Sequence, residues 1–151
     1  MGLLATALAC LAVGCPGPPA AEAPPPQPFA IHFEKSGGLK PKPQELTIGP
    51  GRHARAAMAT GTPAGVRTVR FRVSRKQVAR LRRGLRQAHF SELESSLPGK
   101  CADCYLYTIE YRGHEVTIDE SALPERLHDV VRKLETIVFT HVVMPSPGEL
   151  P

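Results

Sequence analysis

Proline is distributed so unevenly along this chain that it decides where a fold can begin and end. Seven of the sixteen prolines lie between Pro16 and Pro28, and three more fall from Pro145 to Pro151. A segment in which every second residue has a fixed φ and no amide hydrogen cannot build a helix or a strand ladder. Residues 16–28 are therefore expected to form an extended, largely polyproline II spacer. At roughly 3.1 Å per residue it reaches about 40 Å. One folded domain is expected over 29–144, with 145–151 as a disordered tail. Hydrophobic residues make up 42% of the chain, enough for a core, yet aromatics are only 5% and tryptophan is absent. The core must then rest on Leu, Val and Ile.

Ahead of the spacer, Leu3 to Gly14 is an apolar run of signal-peptide length, too short to span a bilayer as a helix. It ends at Ala12-Val13-Gly14-Cys15, which resembles a bacterial lipobox with Cys15 as the thiol that receives diacylglycerol. Ala12 stands where leucine is usual, and no Lys or Arg precedes the run. The expectation is a signal peptide over 1–14, an acylated Cys15 with the Pro-rich linker to residue 28, and an exported protein. Its location is then the cell envelope, where it is held to the membrane by the lipid.

Within the domain, Phe29, Ile31 and Phe33 alternate with polar residues, as in a half-buried strand ending near Lys35. Ser36-Gly37-Gly38 breaks it, and Glu45 to Ile48 reads as a second strand. The Ala-rich stretch from His53 to Thr60 fits a third strand or an irregular loop equally well. Val69, Phe71 and Val73 alternate with Arg70 and Arg72. Ser74 lies three residues before Gln77, a capping-box pattern that opens a helix with Val78, Leu81, Leu85 and Ala88 on one side. Gly84 in its middle costs about 1 kcal/mol against alanine.

Tyr105 to Tyr111 and His114 to Asp119 form a hairpin around Arg112-Gly113. A last helix begins near Pro124, with Leu127, Val130, Val131, Leu134, Ile137 and Val138 inside about 120° of arc. The resulting fold class is α+β, a small antiparallel sheet of four to five strands with two helices packed on one face.

Catalytic patterns are missing from the sequence. There is no His-Glu-x-x-His zinc motif, Walker loop or Gly-x-Ser-x-Gly elbow. The six histidines (His32, His53, His89, His114, His128 and His141) have no ligand spacing. Cys101 and Cys104 precede a strand instead of opening a helix, the wrong setting for a redox Cys-x-x-Cys. In an exported chain the pair reads as a local disulfide; a metal site with His114, or two free thiols, are the alternatives. The expectation is a protein that is not an enzyme, with no metal and no cofactor.

Two surfaces are candidates for contact. The first is a basic belt. From Arg67 to Arg86 there are nine cations and no carboxylate, and Arg70, Arg72, Arg75, Arg82, Arg83 and Arg86 are its candidate binding residues. Such a face attracts anionic lipid or an acidic protein. Nucleic acid is not expected, because the belt lacks aromatics to stack on bases. The second candidate is the turn at Ser36, Gly37, Gly38 and Leu39, whose glycines allow close backbone approach.

Several landmarks recur together: the opening Ile31-His-Phe-Glu-Lys-Ser-Gly-Gly38, the Arg-rich helix ending near His89-Phe90, Tyr107-Thr-Ile-Glu-Tyr-Arg-Gly113, and Asp119-Glu-Ser-Ala-Leu-Pro-Glu-Arg-Leu127. In this order they resemble the emfourin-like family, named for a proteinaceous inhibitor of a thermolysin-type metalloprotease. The resemblance runs from Ile31 to Val138. It implies an α+β inhibitor-like domain whose partner is a metalloprotease or another envelope protein. The turn from Ser36 to Pro43 is then the segment that would enter a cleft, with Leu39 as the side chain offered to an apolar pocket.

Overall fold

The computed structural model describes residues 30–60 and 65–144. The expectations for the signal peptide, Cys15, the proline spacer and the tail lie outside these residues, as does Phe29. The described elements are β1 (Ile31–Gly37), β2 (Gln44–Ile48), β3 (His53–Ala59), β4 (Val66–Arg72), α1 (Arg75–Gln87), β5 (Ser96–Leu97), β6 (Tyr105–Tyr111), β7 (His114–Asp119) and α2 (Glu125–Val143). The class is α+β, as expected. The sheet is larger than expected, with seven strands in the order β4-β3-β2-β1-β6-β7-β5. It is also mixed, because β5 runs parallel to β7 while the other pairings are antiparallel. Two additions account for the difference: the alanine-rich stretch is a full strand, and a two-residue strand seals the edge beside β7. β4 and β5 are the two edges.

Register explains which side chains meet the helices. Phe71, Ala54, Ile48, Ile31, Tyr111 and His114 form one row across six strands. Beside it runs Val69, Ala56, Leu46, Phe33, Ile109 and Val116. Residues paired directly across a sheet share a face, so these apolar rows form one continuous floor. Val78, Leu81 and Leu85 of α1 and the Leu127 to Val142 stripe of α2 bury against it. Each fully buried Leu or Phe stabilises the fold by about 1.5–3 kcal/mol. Ala54 and Ala56 are small where α2 crosses the sheet, which leaves room for the helix.

Helix ends follow their local sequence. Ser74 accepts from the Gln77 amide while the Gln77 side chain accepts from the Ser74 amide, completing the capping box. Pro124 stands at the N-cap of α2. Gly84 has a packing reason for its cost in helix propensity. A Cβ there would stand 2.7 Å from Cγ2 of Val130, so the glycine lets α1 and α2 approach closely.

A third row, Arg67, Met58, Gln44, Lys35, Tyr107 and Ile118, carries polar groups on the helix side. Lys35 Nζ meets Glu135 of α2 at 2.5 Å and lies 3.8 Å from the centre of the Tyr105 ring. This ion pair joins the first strand to the last helix. Burial, and then the nearby Glu135 and Glu120 carboxylates, raise the pKa of Tyr107 well above the usual phenol range. The ring remains a neutral part of the core.

Antiparallel alternation gives the sheet two distinct ends. At one end lie Ala30, where the described chain enters β1, the Gly49–Arg52 turn, the end of β4 at Arg72, and the Arg112-Gly113 turn. At the other lie the β1–β2 connection, the Cys101–Cys104 loop and the end of β7. The two candidate surfaces fall largely at these opposite ends.

Candidate functional site

At the far end the chain leaves β1 through two left-handed residues, Gly37 with φ 72° and Gly38 with φ 81°, a conformation glycine adopts without steric cost. Turn residues follow before β2 begins at Gln44. The tip is braced from beneath. Gly38 donates its amide to the Cys104 carbonyl at 3.1 Å. The Tyr105 hydroxyl donates to the Lys40 carbonyl at 3.5 Å. The Tyr105 ring lies so close under Gly38 that a Cβ there would come within 2.4 Å of Cε1. Cys101 and Cys104 are joined in a disulfide, so the segment that receives the Gly38 amide is itself a closed loop. Leu39 stands above this base with 77% of its surface exposed, the most exposed of the large apolar residues among those described. Ser36, by contrast, pairs with Leu106 inside the ladder and belongs to the strand.

The basic belt divides among three places. Arg70 stands on the helix-free face of the sheet, directly across from Arg55. With His53, Arg55 and Arg72 it lines an open cavity of about 540 Å³. Arg75 and Arg82 stand about two turns apart on α1, with Val78 and Ala79 between them at spacings of three and four that share a helix face. Together with Gly49, Pro50, Gly51 and Arg52 they line a second cavity of about 410 Å³. Arg83 and Arg86 are exposed on α1 and line neither cavity.

Sequence reasoning missed Arg52, which sits alone in a turn and belongs to no run of cations. Topology brings it to the others. It is left-handed, with φ 71°, directly after Gly51, also at φ 71°. Its guanidinium donates to the Val73 carbonyl at 3.2 Å, at the junction of β4 and α1. Burial, and then the positive charges of Arg72 and Arg75, lower its pKa. It stays a cation, held in a place where more positive charge is unfavourable. The signal that could have found it is the Gly-Pro-Gly turn immediately before it, which fixes the backbone on which the guanidinium is carried.

Ion pairing separates the belt from the rest of the surface. Among the described residues, the ion pairs join Lys35, Arg55, His89, Arg132 and Lys133 to carboxylates. Arg52, Arg72, Arg75, Arg83 and Arg86 have no carboxylate partner among the described residues. No group of three or more His, Cys, Asp or Glu with the geometry of a metal site occurs among the described residues either, and no described helix is long and apolar enough to cross a membrane. None of the protein-family models compared with this chain matches it, and the comparison with curated proteins gives no match.

Proposed function

We propose that this chain is a lipid-anchored envelope module that acts by contact, and that its working element is the β1–β2 tip, which enters the cleft of a thermolysin-type metalloprotease. The observation that carries this reading is Leu39, an exposed apolar side chain on a backbone fixed by Gly38, Cys104 and Tyr105. A loop held in one shape before binding loses little conformational freedom when a partner closes on it, so more of its contact energy appears as affinity. The likeness to the emfourin-like family supports the choice of partner, and the lipobox-like Ala12 to Cys15 supports the anchor.

The test is inhibition of a panel of thermolysin-type enzymes by the full chain. Dose-dependent slowing is expected, and Leu39→Asp weakens it by about 30-fold or more, as for a central anchor residue. The melting temperature of that variant should hardly change, because Leu39 is mostly exposed. No slowing across the panel sinks the inhibitor reading. Mass spectrometry of Cys15 tests the anchor separately, since an unmodified thiol removes it whatever the loop does.

A second reading is favoured by the unpaired arginines: the Arg-rich face meets anionic lipid or an acidic partner. It is compatible with the first, because the two surfaces face opposite ends of the sheet.

A further inference from the structure

We propose that the cavity between the Gly49–Arg52 turn and the Arg75–Arg82 face of α1 is a phosphate site, and that its occupant is the headgroup phosphate of an anionic membrane lipid. The inference rests on the second reading above and gives it a location, a geometry and a direction.

The chemistry comes from three arginines, Arg52, Arg75 and Arg82, that line one opening of about 410 Å³. Arginine is suited to phosphate because its planar fork donates two parallel hydrogen bonds to two oxygens. The floor between the forks is apolar, formed by Val78 and Ala79. Arg72 and Arg75 both repel Arg52, and an anion held beside Arg52 relieves that repulsion. The position of Arg75 points the same way. It is the first residue of α1, followed by Lys76, with no acidic residue in that first turn. A helix N-terminus carries positive charge of its own, so cations there work against stability and an anion is favoured.

Two observations select a lipid over a soluble phosphate. The described chain enters the sheet at this same end: Ile31 pairs with Ile48, and Gly49 follows directly. On the lipobox reading of Cys15 the domain is attached to its anchor from this end, the end at which these arginines lie. The Leu39 tip lies at the opposite end, about 20 Å off across the length of β1. The last turns of α2 also come to this end, where His141 stacks on Phe71 with ring centres 3.6 Å apart. There α2 exposes Phe139 and Val143, and Met144 just past its end is exposed as well. Apolar side chains at the same end as arginines suit an interface of acyl chains and phosphates.

The experiment is vesicle flotation of the full chain carrying Cys15→Ala, so that no acyl chain contributes. Vesicles of phosphatidylglycerol with phosphatidylcholine are compared with phosphatidylcholine alone at physiological ionic strength, where charges more than about 8 Å away are largely screened. Binding to the anionic vesicles only is expected. Arg75→Gln with Arg82→Gln weakens it by roughly 30-fold, from about a fivefold loss per arginine. Arg83→Gln with Arg86→Gln, outside the cavity, should weaken it by less than about threefold.

An equal loss for both pairs overturns the site and leaves only a diffuse basic face. Absence of binding to anionic vesicles overturns the second reading itself. If inorganic phosphate shifts the Gly51 and Arg52 amide resonances but the vesicles do not bind, the lipid assignment fails. If the glutamine pair does not fold, Arg75→Lys with Arg82→Lys keeps the charge and removes the forks. Binding equal to the parent chain then overturns the phosphate geometry, and roughly tenfold weaker binding supports it.

Discussion

The two helices share one floor and differ almost completely on their outer faces. The outer side of α2 mixes signs. Asp129 accepts from Arg132 at 2.6 Å and also from Lys133, at the three- and four-residue spacings that stabilise a helix, and Glu135 reaches Lys35. On α1 the charged residues are Arg75, Lys76, Arg80, Arg82, Arg83 and Arg86, with no carboxylate between them. The charges of α2 are explained by the stability of α2. Those of α1 are not: Arg75, Arg83 and Arg86 have no carboxylate partner among the described residues, and cations so placed are available to something outside the molecule.

The comparison can be broken first on the buried side, where the helices should be equivalent. Leu81→Ala and Leu134→Ala each remove a fully buried side chain. Each should lower the unfolding free energy by about 2–5 kcal/mol, read from denaturant midpoints. A loss from one helix only would show that the other is not part of the same core.

On the outer side the expected effects are smaller and opposite in kind. Arg75→Glu places an acid at the start of α1 and removes a cation from the group around Arg52. It should raise stability by about 0.3–1 kcal/mol while weakening attachment to anionic vesicles. A drop in stability would mean that Arg75 has a structural partner. The smallest effect concerns α2. Hydrogen bonds from Lys133 and Arg132 hold the Asp129 carboxyl below its usual pKa. Its contribution is therefore present at neutral pH, above the ordinary carboxylate range, and is lost as pH falls through the depressed value. Asp129→Asn should flatten that part of the acid unfolding profile and leave the alkaline side unchanged.

What could be read from the sequence was local. Ser74 and Gln77 are three residues apart, the Arg112-Gly113 turn joins adjacent strands, and the α2 stripe repeats within one helix. Each announces itself through neighbours in the chain. The strand from His53 to Ala59 was ambiguous because its alanines carry little hydrophobic contrast; their smallness is explained by α2, which lies far along the sequence. β5 is two residues long and exists through its pairing with Thr117 and Ile118. Lys35 looked like the polar end of a strand, yet its partner is Glu135, one hundred positions away. The same limit applied to the candidate site. The cations of α1 were visible as a run, but Arg52 joins them only after β3 and β4 have folded back on one another. The loop residues Gly37, Gly38 and Leu39 were visible as a turn, while the brace beneath them comes from Cys104 and Tyr105.

One edge of the sheet leads to a separate conclusion. Along the seven residues of β4, alternate backbone donors and acceptors face outward with no strand partner among the described residues, the kind of rim onto which a foreign strand can add. Arg67, Arg70 and Arg72 are all exposed on that rim, and a second molecule attempting to extend the sheet there would bring its own arginines against them. Copies crowded together on a surface would therefore repel edge to edge, which discourages stacking into fibrils.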